Sequence, residues 1–441
     1  MDHDGRLLLT APLLIDGTGS APIHDAAVIV DKDGAIAWVG PRNCMAADPP
    51  SAHLGVEHGA MLPGLIDAHI HTTLVADMVA YLKHGVTTVR YAGMDPDAVR
   101  RLRLELQGRD IPSPRILDCG PMIDMAPASW PEWSVTVTDE REARDAARRL
   151  LSMGDLDGLF VAQRATPEVV ASVVRIAHAA GKPVAGQLWA TDAATAAAIG
   201  VDQLDNNSRI FVSHEWPDER LLTYRTMPER LAMLARAWGT IDWSRSLSQL
   251  EAMVDAGVAY CPTFVVWENQ VGLDTDELTA SEDYDALYGP AEHEAWRAIG
   301  DRTRMGWSEG DAEAWRAALE PRMEWVARFR DLGGTVVVGT DMQYGGLVLH
   351  REIRHLLACG FDVVGAIRCA TGDSARVLGI SSETGTLARG KRAELLLVEG
   401  NPLDDIHALS RIAFVIQGVH AWTGADLQDA AAKAGIRRGC R

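Results

Sequence analysis

Between residues 85 and 206, short apolar runs alternate with stretches of helical period, and no other feature of the 441-residue chain constrains its fold as tightly. GVTTVRYAG, PRILDCG, DGLFVA, KPVAGQLW and VDQLDN read as strands. DAVRRLRLELQG, DEREARDAARRLLSMG, PEVVASVVRIAHAAG and TDAATAAAIG read as the helices between them. Strands separated by helices pair in parallel, and roughly eight such units close into a barrel, so the pattern predicts an α/β fold of that kind. The two ends differ. Residues 6–40 and 385–422 alternate short β runs with turns, which predicts a small β-sandwich built from both termini. Between Asn207 and Gly334 the alternation loosens into helical stretches rich in tryptophan, among them Trp296, Trp307, Trp315 and Trp325. Helix packing accounts for each of these singly. Collectively, in an insertion over the C-terminal face of a barrel, they suit an organic substrate with apolar or aromatic parts.

A net charge of -19 argues against a nucleic-acid or anionic-membrane partner. With 47% hydrophobic residues the chain can bury a large core, yet it has no run of about 20 apolar residues to span a bilayer. The first residues lack the basic and apolar regions of a signal peptide. Six scattered cysteines (Cys44, Cys119, Cys261, Cys359, Cys369, Cys440) without a C-x-x-C pair read as reduced thiols. The expectation is a cytoplasmic protein that acts on a small molecule, as a homo-oligomer such as a dimer.

LPGLIDAHIHTTLV, residues 62–75, carries His69 and His71 at the end of a short buried strand that starts from a Pro63-Gly64 turn. Residues two apart on a strand leave the same face, so both imidazoles point one way, as a metal site needs. No Gly-rich phosphate loop, G-x-S-x-G elbow or H-E-x-x-H occurs, so nucleotide binding, serine hydrolysis and zincin chemistry lack support.

Over nearly its whole length the chain resembles the amidohydrolase superfamily, within it the branch that includes imidazolonepropionase-like and Xaa-Pro dipeptidase-like enzymes. LPGLIDAHIH is similar to the family's first-strand motif, GVTTVR to its second strand and VGTDM to its eighth. LHREI is similar to the helix that follows, and GTLARGKRAELLLVEGNPL to the returning sandwich segment. The resemblance implies a distorted (β/α)8 barrel, of the TIM type, with a small β-sandwich formed by both termini. Residues 1–60 and 381–425 would make the sandwich, 61–380 the barrel with helical insertions at about 209–330, and 426–441 a tail.

In dinuclear members the resemblance implies a buried metal held by the first-strand histidines and the eighth-strand aspartate, here His69, His71 and Asp341. A second metal takes histidines from strands five and six, and a carboxylated lysine from strand four bridges the two. This chain departs there: Phe160 stands at the lysine position, Gln187 at the fifth-strand histidine and Asn206 at the sixth. The exclusive ligands of one metal persist and those of the other are gone. The expectation is an atypical, at most mononuclear site holding one divalent metal, zinc, and hydrolysing a C–N bond of an amide or cyclic amide. Asp341 would also accept a proton from the attacking water. Two alternatives stay open: a metal-free acid/base enzyme (dehydratase, cyclase or isomerase) built on the same three residues, and a non-catalytic ligand-binding homologue.

Gln187, Asn206 and Phe160 are further expected to touch substrate. Arg90 and Tyr91, after the second strand, are expected to face the mouth, where Arg90 could anchor a substrate carboxylate or form a structural salt bridge. Gln163 and Arg164, after strand four, carry the same ambiguity. His214 and Trp216 are candidates for the pocket wall, whereas His178, His350 and Glu352 read as structural.

Overall fold

A computed structural model of the chain describes residues 5–45, 49–216, 224–270, 288, 290–342 and 344–433. Both ends of the chain enter one eight-stranded sheet. Leu7–Leu14, Ile23–Val30, Ile36–Pro41, His53–Gly55 and Gly59–Pro63 come from the N-terminal side, and Glu394–Glu399, Ile412–Gln417 and His420–Trp422 from the C-terminal side. Gly59–Pro63 is the seam: it runs parallel to Leu7–Leu14 and antiparallel to Glu394–Glu399, with Leu62 opposite Leu396. Alternation assigns the two faces of the strand ELLLVE. Leu395 and Leu397 pack with Leu7, Leu9, Leu14 and Val28, while Leu396 and Val398 join the larger core beneath.

The middle of the chain forms two parallel sheets. One pairs Leu65–Ile70, Val86–Tyr91 and Arg115–Asp118. The other is ordered Ser134–Val137, Met122–Met125, Leu159–Val161, Val184–Gly186, Gln203–Asp205 and Ala259–Cys261. Backbone hydrogen bonds continue from one sheet to the other. Asp157 N donates to Asp118 O (2.7 Å), Val337 N to Tyr260 O (3.0 Å) and Ala68 N to Val338 O (2.8 Å). TVVVGTD thus runs extended between Tyr260 and Ala68, with its ladder reduced to a bridge at Val336. Gly339 allows that approach, because a Cβ there would lie 2.5 Å from Cys261 Sγ and 2.8 Å from His69 Cβ.

The helices between the strands fall where the apolar period places them, and acidic N-caps fix their starts. Asp95, Asp139 and Asp192 each accept a backbone N–H from the first turn of Pro96–Gly108, Glu140–Leu151 and Ala193–Ile199. Helices Met227–Trp238, Trp243–Ala256, Pro290–Thr303, Glu309–Ala317 and Leu319–Asp331 fill the loosened region. The side chain of Trp296 lies outside the described residues, as does Cys440. The tail expected from residue 426 begins instead as helix Gly424–Lys433, with Leu427 and Ala431 buried. The described cysteines are unpaired, and among the described residues no helix is long and apolar enough to cross a membrane.

Glu352, fully buried, accepts the backbone N–H groups of Phe264 and Val265 at 2.9 Å each, tying helix Gly345–Ala358 to helix Phe264–Asn269. Burial pushes its carboxyl up to about 7 from an ordinary 4.5. The unfolded chain ionises this group first, so rising pH between those two values favours the unfolded chain. Across that window the wild type is expected to lose up to about 3 kcal/mol relative to Glu352→Gln. Urea melts at pH 4.5 and 7 check this, and parallel stabilities would refute it.

Candidate active site

The three side chains singled out by the first-strand and eighth-strand motifs converge. His69 Nε2, His71 Nε2 and Asp341 Oδ1 form a triangle with edges of 3.1 Å between the imidazoles and 3.5 and 3.2 Å to the carboxylate. A tetrahedral ion bound at about 2.0–2.2 Å spaces its ligands about 3.3–3.6 Å apart, so the triangle is close to one face of such a site, its shorter edges slightly contracted. Two Nε2 atoms this close cannot both carry protons towards each other, which is what a shared ion or a shared proton resolves. The carboxylates beside His69 work in the same direction. Burial alone would strip its proton, yet Asp341 and Asp205 outweigh burial and push it up to about 9. Burial also opposes the charge on Asp341, but His69 and His71 hold its carboxyl well below the usual range.

The backbone explains why these atoms meet. Asp67, two residues before His69, accepts from Thr340 Oγ1 (2.6 Å), Thr340 N (3.0 Å) and His69 N (3.2 Å). It thereby sets the register of the eighth run against the first strand. Asp341 and Asn206 both sit in left-handed backbone, at φ 52° and 49°, at the ends of their runs. That conformation is costly for most residues and tolerable for Asp and Asn, and it turns both side chains inward. Asn206 Nδ2 donates to Asp341 Oδ2, and among the described residues Asn206 Oδ1 has no partner.

Behind His69 the site is anchored by charge. His69 Nδ1 donates to Asp205 Oδ2 (2.8 Å), which fixes the ring and directs Nε2 forward. Asp205 also accepts from Arg90 Nη2 at 2.6 Å, and Arg90 Nε donates to Ala68 O at 2.6 Å. Arg90 therefore does not face the mouth. It is a buried counter-ion, and its guanidinium is consumed by Asp205. Tyr91 is likewise in the core, donating from its hydroxyl to Thr72 O.

Phe160 lies behind the histidines, edge-on to His69 (5.8 Å between centroids) and 5.9 Å from the Arg90 guanidinium carbon. It is part of the core and not of the cleft wall, so the expected contact with substrate is not made there. Phe160→Ala is expected to cost about 3–5 kcal/mol of stability, since the ring is fully buried. Chemical denaturation measures this, and a loss below about 1 kcal/mol would mean the cavity collapses and the ring supports nothing.

Gln187 and Asn206 do line the cleft, together with His71 and Asp341. The cleft encloses about 1140 Å³, open solvent included. Gln163 is buried off its wall, its Oε1 3.5 Å from the Tyr224 hydroxyl and its Nε2 without a partner among the described residues. Arg164 stacks on Tyr224 at 4.3 Å. His214 is exposed, 3.5 Å from Asp242, and neither it nor Trp216 reaches the cleft. His178 pairs with Asp202 and His350 with His84 O, both structural as expected.

The cleft wall that the sequence did not announce is Trp130 and Trp133. They follow strand Met122–Met125 and stack at 5.5 Å, and Trp133 in turn stacks on His71 at 5.5 Å and 12°. Among the described residues His71 Nδ1 has no hydrogen-bond partner, so this stacking and the contacts of Nε2 to His69 and Asp341 position the ring. Of the tryptophans picked from the insertion, Trp315 reaches the cleft, stacked on Trp267 at 3.5 Å with reciprocal indole-to-carbonyl hydrogen bonds. Trp325 and Trp307 serve packing, donating to Ile210 O and Pro228 O.

Comparison with known proteins places this geometry. The Amidohydrolase family matches residues 316–420. An imidazolonepropionase of Salinispora tropica is 42% identical over 77 residues, 18% of each chain. An adenine deaminase of Paracoccus denitrificans is 24% identical over 427 residues, which are 93% of this chain and 57% of that one. The matched segments thus span well under two thirds of these curated relatives. A Xaa-Pro dipeptidase solved with bound methionine shares the fold, with a TM-score of 0.69, 19% identity, and coverage of 95% of this chain and 100% of that one. The chain is thus similar to the Amidohydrolase family across residues 316–420, to imidazolonepropionases over a short segment, and in fold to a Xaa-Pro dipeptidase, and it brings a histidine pair and an aspartate together.

Proposed function

We propose that the chain is a hydrolase of a C–N bond, in an amide or cyclic amide of a small organic substrate, working with at most one divalent metal, zinc, on His69, His71 and Asp341. The observation that carries this reading is the triangle of donor atoms at close to tetrahedral spacing, and the resemblance puts Phe160, Gln187 and Asn206 where the ligands of a second metal would stand. When bound, the metal supplies Lewis-acid polarisation of the substrate carbonyl and acidifies water. The protein's own groups do the rest. Asp205 and Arg90 hold His69 in one orientation, and Trp133 holds His71. Asp341 keeps its charge at neutral pH and accepts the proton of the attacking water, while Asn206 holds the other carboxylate oxygen. Gln187 and Asn206 offer amides to the substrate where the resemblance puts metal-binding imidazoles.

On the same reading the parallel sheets form a distorted (β/α)8 barrel over residues 61–380, which the bonds Asp118–Asp157, Tyr260–Val337 and Ala68–Val338 support. Residues 1–60 and 381–425 are then a small β-sandwich, and the protein is a cytoplasmic homo-oligomer.

Elemental analysis of protein purified without added metal is expected to give no more than one transition metal per chain. Chelation is expected to abolish hydrolysis of a panel of N-acyl amino acids and cyclic amides, with recovery on adding zinc. Two metals per chain, or full activity after chelation, would overturn the mononuclear hydrolase. The second outcome would leave the histidine–aspartate group as a metal-free acid/base device.

A further inference from the structure

The turn over residues 126–133 stands at the surface, with Ala126, Pro127, Pro131 and Glu132 exposed, yet it carries both Trp130 and Trp133 of the cleft wall. Its two ends are secured by the backbone. Ser134–Val137 pairs with Met122–Met125, and Ala126 N donates to Val137 O at 3.0 Å. Its middle is held by one side chain. Asp124 is fully buried, and its carboxylate is divided between two anchors. Oδ1 accepts the backbone N–H groups of Met125 (3.0 Å) and Arg164 (2.8 Å), which tie it to its own strand and to the segment after Leu159–Val161. Oδ2 accepts the backbone N–H of Ser129 at 2.7 Å. Ser129 directly precedes Trp130, and Trp133 N donates to Trp130 O at 3.1 Å, so fixing Ser129 fixes both indoles. This chain of contacts ends on His71, which Trp133 overlies at 5.5 Å and 12°. Burying a carboxylate is costly, and the sheet pairing here does not call for one.

We propose that Asp124 is a positioning residue of the active site, holding the turn 126–133 so that Trp133 keeps the His71 ring in place. Its effect on a bound metal rests on the hydrolase reading, whereas its hold on the turn and on the ring does not. The division of its two oxygens makes the role separable. In Asp124→Asn the amide keeps one acceptor oxygen. Left at the Oδ1 position, that oxygen still serves Met125 and Arg164, and the NH2 meets the Ser129 N–H, donor against donor. The opposite orientation would keep Ser129 and lose two bonds instead of one, so the amide takes the first. The turn alone is then released.

The test reads His71 directly. In protein labelled with carbon-13 histidine, the ring protons of His71, assigned with His71→Gln, carry the ring-current shift of the indole stacked on them. Trp133→Leu is expected to abolish that shift, and Asp124→Asn to abolish most of it. Zinc alone, titrated in competition with a chromogenic chelator, is expected to bind about tenfold more weakly to either variant. In the double variant the loss is expected to be no larger than in Trp133→Leu, since both changes act through one contact. An unchanged His71 signal in Asp124→Asn, an unchanged zinc affinity where that signal has moved, or losses that add in the double variant would each overturn the proposal. A wild type that binds no zinc refutes the metal reading, and the His71 signal then still decides whether Asp124 positions the ring. If Asp124→Asn does not fold, amide exchange in the wild type and the Trp133→Leu signal decide together. Slow exchange of the Ser129 N–H with a shift that Trp133→Leu removes supports the proposal, and fast exchange or an unmoved signal overturns it.

Discussion

Asp341→Asn is expected to strip most of the bound metal and to lower turnover at least about a hundredfold, with the fold intact. One carboxylate oxygen faces both imidazole Nε2 atoms and the other accepts from Asn206 Nδ2. An amide has a single acceptor oxygen. Whichever way it is turned, its NH2 points either at the histidines, displacing a metal ligand, or at the Asn206 NH2, donor against donor. It can also accept no proton at neutral pH. The backbone bond from residue 341 N to His69 O does not involve the side chain, so circular dichroism is expected to be unchanged. Metal analysis beside turnover decides the matter, and retention of both would remove Asp341 from the mechanism.

Asp205→Ala is expected to destabilise the chain by about 3–5 kcal/mol and to loosen His69 as well. The carboxylate is fully buried, and Arg90 and His69 hold it ionised against the cost of burial. Removing it leaves the Arg90 guanidinium, itself buried, facing no anion. The double substitution Asp205→Ala with Arg90→Met is then expected to recover part of the loss, because both charges leave together. Urea denaturation of the two single variants and the double variant measures the coupling. Additive losses would show that the pair is not what holds the site.

The parts of the site legible in the sequence were those carried by local pattern. His-x-His at a strand end and Asp after VVVGT needed no partner to be noticed, and the helices between residues 96 and 199 follow from apolar period and acidic caps. What the sequence concealed were pairings across distance. Arg90 ends a β run and looks like a mouth residue until Asp205, 115 positions away, is found beside it. Asp205 and Asn206 are neighbours in the chain yet point to opposite sides of the site, one behind His69 and one into the cleft. Trp130 and Trp133 sit in MIDMAPASWPEWSVTV, whose two strands of four residues are too short to show a period.

The seam at Gly59–Pro63 also bears on how the chain is made. Its partner Glu394–Glu399 is synthesised about 330 residues later, a delay on the order of tens of seconds on the ribosome. Throughout that interval Met61 and Leu62 stand on an open β edge, able to pair with another nascent chain as readily as with the strand they await. Closing that edge is also a contact of very high sequence separation, the kind that slows folding. Closure of this seam therefore waits on strand Glu394–Glu399, and any shortening that removes residues 394–399 leaves Gly59–Pro63 with an adhesive border.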